Sequence, residues 1–359
     1  MSLRPFLLAV VAAACLSAGC LPYPVGQRPY GSWDDPASLY AAHVENGIYF
    51  NPWHPFTPPS TRIFRLVLTR NPFDRSHTPE LPVVPNDGSE LSVPAPQPRI
   101  TWIGHSTMAI HDGSDVVVTD PNFARRMIVV KRHTPPGLPI ESIPADAMGV
   151  ISHSHNDHLD AGSVEGLPAT MHWFVPLGLA EWFRRHGRDN VVELDWWQSA
   201  QNGRWTITCL PAQHWSRRID QPPNRTLWCS WLIDSGTTRY YFAGDTGYFH
   251  GFREYGRRFA PIDVALLPIG AYEPRWFMRE QHENPAEAYR AFQDLGARYM
   301  IAMHWGTFDL SFEPLDQPPK DLMEAVDADD GDRSRVKVLK IGETFTLPPR
   351  DEDADAAAR

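Results

Sequence analysis

A chain of 359 residues, with 42% apolar and 11% aromatic side chains, has ample material for a sizeable core. At about 100–200 residues per domain this means one large domain or two small ones. The formal charge of −10 excludes the basic balance that nucleic-acid binding needs and speaks against broad adhesion to anionic lipid, leaving that work only to local arginine clusters.

Residues 1–19 read as a leader rather than as fold. Arg4 forms a short positive region, Phe6 to Ala13 an apolar one, and Leu16-Ser17-Ala18-Gly19-Cys20 has the form of a bacterial lipobox. The apolar run is shorter than the about 20 residues a spanning helix needs. The expectation is export and lipidation at Cys20, which places the chain in the bacterial envelope on a lipid anchor; a plain signal peptide cut near Ala18 is the alternative. Either way Cys209 and Cys229 remain, two thiols able to pair or to stay separately buried.

Residues 20–98 form a Pro-rich segment, with Asn51-Pro52-Trp53, Pro58-Pro59 and Val93-Pro94-Ala95-Pro96-Gln97-Pro98. Arg62 to Leu68 reads as a short amphipathic helix, while Tyr49, Phe50 and Trp53 suggest docking onto the core. A main domain is expected over 99–348. Within it Val116 to Thr119 reads as a buried strand ending at Asp120, and Met148 to Ile151 as another. Leu177 to His186 reads as a helix stopped by Gly187. Asn284-Pro285-Ala286-Glu287 has the form of a helix start, and Gly296 of its end. Arg335 to Phe345 alternates as one late strand, and residues 349–359 form an acidic, Ala-rich tail of disordered composition.

The chemistry concentrates after the second of those strands. Ile151-Ser152-His153-Ser154-His155-Asn156-Asp157-His158 packs four ligand-type side chains into six positions of one loop. Neutral imidazole and carboxylate are what Zn²⁺ and related first-row cations prefer. Three more such residues each close a strand-like run: His214 after Trp205 to Gln213, Asp245 after Tyr240 to Gly244, and His304 after Tyr299 to Met303. Seven donors exceed what one ion needs and suit two metals sharing a carboxylate.

In ligand order the chain resembles the metallo-β-lactamase superfamily. In detail it is more similar to the N-acyl-phosphatidylethanolamine-hydrolysing phospholipase D group and its bacterial relatives. The matching segments are Trp102-Ile103-Gly104-His105-Ser106-Thr107, Thr119-Asp120-Pro121, Gln213-His214-Trp215 and Leu227-Trp228-Cys229-Ser230-Trp231. Phe242 to Tyr248, Pro268 to Met278, Gln281-His282, Asn284-Pro285 and His304-Trp305-Gly306-Thr307-Phe308 complete them, across roughly residues 99–346.

The resemblance implies a four-layer α/β fold, the αββα sandwich. It implies one zinc on His153, His155 and His214, a second on Asp157, His158 and His304, and Asp245 between them. Asp157 and Asp245, with a metal-bound hydroxide, would form the catalytic centre. Asp120 and His105 would brace the ligands from behind. His282, Asn156 and Arg275 would meet substrate, with Arg217, Arg218, Lys131 and Arg132 as further phosphate contacts. Asn156 departs from the eukaryotic members, which carry Tyr there; this leaves the metal chemistry untouched and bears on lipid preference. The implied reaction is hydrolysis of an N-acylated phospholipid to phosphatidic acid and an acylethanolamine. A lactonase or amidase on the same site and a metal-stabilised, non-catalytic envelope factor are the alternatives.

Overall fold

The computed structural model describes residues 34–350 apart from 56–61, 63–64, 67 and 220. The leader, Cys20 and the tail from 351 onward lie outside the described residues. Two seven-stranded sheets form the centre. The first contains β1 (Ala95–Gly104), β2 (Thr107–Gly113), β3 (Asp115–Thr119), β4 (Met148–Val150), β5 (His172–Pro176), β6 (Val191–Leu194) and β14 (Thr344–Thr346). The second contains β7 (Ser199–Asn202), β8 (Trp205–Leu210), β9 (Ser230–Asp234), β10 (Arg239–Phe242), β11 (Val264–Pro268), β12 (Tyr299–Met303) and β13 (Val336–Lys337). Their spatial orders are β6-β5-β4-β3-β2-β1-β14 and β7-β8-β9-β10-β11-β12-β13.

Strand alternation sorts the core into layers. Val117 joins Ile100, Trp102, Met108, Ile207, Trp231 and Ile233 in the larger cluster, which draws on both sheets. Val116 and Val118, on the opposite face, pack with Trp173, Val164, Leu179 and Phe183 of the segment carrying helices Ala161–Gly166 and Ala180–Arg185. Helices Gly251–Phe259, Pro285–Leu295 and Pro318–Ala328 pack on one another beside β11. This is the αββα sandwich. Helix Pro285–Leu295 starts on a full capping box, in which Asn284 Oδ1 accepts from Glu287 N and Glu287 Oε2 from Asn284 N, and it ends at Gly296 with φ +61°.

Topology gathers the chemistry at one edge. β3, β4, β5 and β6 run parallel, as do β10, β11, β12 and β13. β1 is antiparallel to β2 and β2 to β3, so β1 points the same way as β3; by the same count β8 points the same way as β10. The C-terminal ends of β1, β3, β4, β8, β10 and β12 therefore lead to His105, Asp120, the His153–His158 loop, His214, Asp245 and His304. The two sheets meet closely there. Gly244 takes φ +60°, and a Cβ on it would lie 2.4 Å from that of Ser152.

One sequence expectation changes. The stretch 335–345 is two strands rather than one: β13 extends the second sheet and β14 the first, because the chain crosses between layers. β1 starts at Ala95, and its prolines are tolerated because β14 pairs only from Arg99 onward and leaves the start of the strand on an edge. The N-terminal segment docks onto the core, as its aromatics suggest. Trp53 is buried, stacks on Phe249 at 5.2 Å and donates to Gln213 Oε1 at 2.5 Å, while Asn51 Nδ2 donates to His214 O at 2.9 Å. Arg62, Arg65, Leu66 and Leu68 are helical, and Arg65 lies over the Trp276 ring. Cys209 and Cys229 are buried free thiols, with burial pushing Cys229 well above the usual thiol range.

Trp53→Ala should cost about 3–5 kcal/mol, the usual range for truncating a buried tryptophan. Urea unfolding of wild type and variant checks this; equal midpoints would show that the segment does not stabilise the fold.

Candidate metal centre

The loop after β4 owes its shape to Asp120. This carboxylate is fully buried at the end of β3 and accepts from Ser152 N at 2.6 Å, Ser152 Oγ at 2.5 Å and His158 Nδ1 at 2.6 Å. Once His158 donates from Nδ1, its Nε2 lone pair faces the cavity. Ser152 Oγ, committed as a donor to Asp120, accepts from His153 Nδ1 at 2.8 Å and turns His153 Nε2 inward as well. His214 Nδ1 donates to Gln281 O at 2.9 Å with the same result. Asn122 Nδ2 holds Asp157 O at 2.9 Å.

Two donor groups result. His153 Nε2 lies 2.8 Å from His155 Nδ1, which lies 3.2 Å from His214 Nε2. Nearby, Asp157, His158 and His304 gather with His105, whose Nε2 is 3.1 Å from Asp157 Oδ2. Asp245 faces both. Its Oδ2 is 3.1 Å from His158 Nε2, 3.9 Å from His214 Nε2 and 4.0 Å from His153 Nε2, and its Oδ1 is 3.0 Å from His304 Nε2. The His158 and His304 contacts to Asp245 are angled so that neither Nε2 makes a hydrogen bond, and His155 Nε2 is also buried without one. Buried polar atoms left in this way are costly unless something cationic completes them.

The electrostatics fit a cation. Burial holds His153 well below the ordinary imidazole range and takes His155 to about 3 and His214 to about 4, so all three are neutral donors. Burial also opposes the charge on Asp157 and Asp245, but the neighbouring His158 prevails and keeps both carboxylates well below their usual range. Against burial, Asp245 and Asp157 raise His304 to about 9 and hold His158 well above the usual imidazole range. Neutral imidazoles at His153, His155 and His214 beside ionised carboxylates suit zinc and similar ions, and the positive charge drawn onto His158 and His304 marks where the carboxylates call for a cation. Asp120, His105 and His304 all hold positive φ, at +34°, +53° and +63°, as functional sites commonly do.

Several residues stand differently from expectation. His105, expected behind the ligands, lies within a donor group with Asp157, His158 and His304, and His282, expected at substrate, within one with Asp245 and His304. Arg275, expected at substrate, is instead a brace; its guanidinium binds Glu287 Oε2 at 2.7 Å and His282 O at 2.9 Å. Arg132 is buried on the carbonyls of Ile103, Asn122 and Thr134. Arg218 Nη1 holds Ser154 O and Leu159 O, so its fixed role is in the ligand loop. Asn156 stays half-buried between His155 and Asp157. Ser152, Asn122 and Gln281 received no role from the sequence because serines, asparagines and backbone carbonyls carry no signal without their partners.

Residues 116–305 match the Beta-lactamase superfamily domain. The chain is 36% identical over 326 residues to an N-acyl-phosphatidylethanolamine-hydrolyzing phospholipase D of Caenorhabditis elegans, covering 80% of this chain and 89% of that protein. It is 35% identical to the mitochondrial protein of that name from Saccharomyces cerevisiae, over 76% of this chain and 59% of the yeast protein. Among solved structures, a possible metal-dependent hydrolase of Veillonella parvula superimposes with a TM-score of 0.57 at 18% identity, over 70% of this chain and 100% of its own.

Asp120→Asn should weaken metal binding by about ten- to a hundredfold, because a carboxamide cannot accept from Ser152 and His158 as the carboxylate does. Titration with a chromophoric chelator measures this, and an unchanged affinity would mean that the loop holds its shape without Asp120.

Proposed function

Since the chain belongs to the beta-lactamase superfamily of metal-dependent hydrolases, we propose that it is a zinc-dependent phosphodiesterase of the phospholipase D type, acting on N-acyl-phosphatidylethanolamine or a related phospholipid. The observation that carries the reading is Asp245, one buried carboxylate facing both donor groups across 3.0–4.0 Å. Two cations bound there would supply a water activated near neutral pH and positive charge for the oxygens of an in-line displacement. Phosphodiester hydrolysis asks mainly for positioning and charge, which this site is built to give. The phospholipase D activity for which the worm and yeast relatives are named supports the lipid substrate.

The protein's own residues then have separable tasks. Asp120 and Ser152 set the imidazoles, and Asp245 holds the two donor groups at a fixed separation. His282 stands at the edge, with Nδ1 3.8 Å from Asp245 Oδ2 and burial keeping its ring neutral, and offers a donor to a phosphate oxygen. Asn156, half-buried on the ligand loop, would tune the choice of lipid. The lipobox at Cys20 would hold the enzyme on an envelope membrane beside its substrate. Among the described residues no helix is long and apolar enough to cross a membrane.

Asp245→Asn should lose metal, with elemental analysis falling from about two ions per chain, and lose turnover of every substrate. His282→Ala should keep its metal and lose about ten- to a hundredfold in kcat/KM on phospholipid, the worth of one charge-assisted contact; metal lost with the ring would make His282 a ligand instead. Cys20→Ser should move the protein out of the membrane fraction, and identical fractionation would overturn the anchor. In a panel of soluble phosphodiester, N-acylated phospholipid, lactone and β-lactam, the two phosphodiesters should be cleaved. Cleavage of the lactone or β-lactam alone would overturn the phospholipase reading.

A further inference from the structure

A two-stranded hairpin, Arg126–Met127 with Val130–Lys131, follows Asp120 at the ligand edge of the first sheet. Arg126 pairs with Lys131 and Met127 with Val130, leaving Ile128 and Val129 at the tip. They are 54% and 40% exposed, and Ile128 sits at φ +54°, a conformation in which a β-branched side chain is unfavourable and Asn or Gly usual. Folding therefore does not account for two branched aliphatics in water at this turn. Around them Arg125, Arg126 and Lys131 are exposed, a local positive cluster on a chain of net negative charge.

The root of the hairpin is buried and reaches the metal centre through Phe308. Arg132 is buried, with its guanidinium 5.6 Å from the Phe308 ring, and Phe308 meets the His105 ring edge-on at 5.3 Å. His133 N donates to Thr307 O at 2.9 Å. A second apolar point, Ile219, is 60% exposed directly after Arg218, whose side chain is fixed to the ligand loop.

We infer that the hairpin Arg126–Lys131 docks the protein on an anionic lipid surface, seating Ile128 and Val129 at the headgroup–acyl boundary and bringing the mouth of the metal site to the bilayer. Branched aliphatics bury apolar area at that depth, and Arg125, Arg126 and Lys131 complement anionic headgroups, each strengthening partitioning by about fivefold. This contact is separate from any anchor at Cys20, and it rests on the phospholipid reading of the site.

The test uses the full chain carrying Cys15→Ser and Cys20→Ser, with Val129→Cys labelled by a polarity-sensitive fluorophore; Cys209 and Cys229 are buried. Vesicles containing about 30% phosphatidylglycerol should shift the label to the blue, and brominated lipid should quench it. Both effects should shrink in high salt, in pure phosphatidylcholine and in the Arg126→Glu, Lys131→Glu variant. In the natural chain, Ile128→Asp with Val129→Asp should lower kcat/KM on vesicle phospholipid by about tenfold and leave a soluble phosphodiester unaffected. A label that stays in water while the protein cosediments with vesicles would overturn the inference, showing contact through another surface or a protein partner for the hairpin. Equal turnover of vesicle substrate by the Asp variant would overturn it too. Should the wild type cleave neither phosphodiester, the substrate reading falls, while the label still decides whether the hairpin meets lipid.

Discussion

The buried carboxylate of Asp120 is the constraint on which the rest of the site depends. It sits at the end of a strand with no exposed surface, and burial pushes its pKa up, a cost offset by three hydrogen bonds from Ser152 and His158. Those bonds fix the tautomer of one imidazole directly and of a second through Ser152. They also tie the loop after β4 to the end of β3, so a short loop can hold several donors at a common point. Without that tie the loop would have to pay the ordering entropy of each side chain separately.

Parallel strands do the remaining work. Because β3, β4, β10 and β12 end at one edge, side chains from positions between 105 and 304 meet within a few ångströms. The close approach of Gly244 to Ser152 lets the second sheet deliver Asp245 against the loop of the first. The site's edge is thus a product of topology, while its charge balance has two causes: burial keeps His153, His155 and His214 neutral, and His158 and His304 keep the carboxylates between them ionised. The same edge carries the exposed hairpin, so the chemistry and the proposed lipid contact share one face.

Much of this was legible in the sequence, and for physical reasons. The ligand-rich loop and the strand-then-ligand pattern at His214, Asp245 and His304 are local, and apolar runs announce buried strands. The cap at Asn284 is likewise local and appears as expected. The αββα architecture came through resemblance, since periodicity carries no strand order. What escaped was spatial. His105 and His282 are single residues whose place among the donors depends on strands far apart in the chain. Arg275 and Arg132 looked like free cations because a sequence does not show guanidinium burial. The stretch 335–345 alternates uniformly although its halves belong to different sheets. The Pro-rich segment carries no period, so only its aromatics hinted that Trp53 enters the core.

The proposal that the site cuts the phosphodiester on the headgroup side of an N-acylated phospholipid can be tested by the fate of one oxygen atom. Hydrolysis in ¹⁸O-water, followed by mass spectrometry of both products, should place the label in phosphatidic acid and leave the acylethanolamine unlabelled, because water attacks phosphorus and the alcohol departs. Label in a released fatty acid, or in the acylethanolamine, would contradict the account.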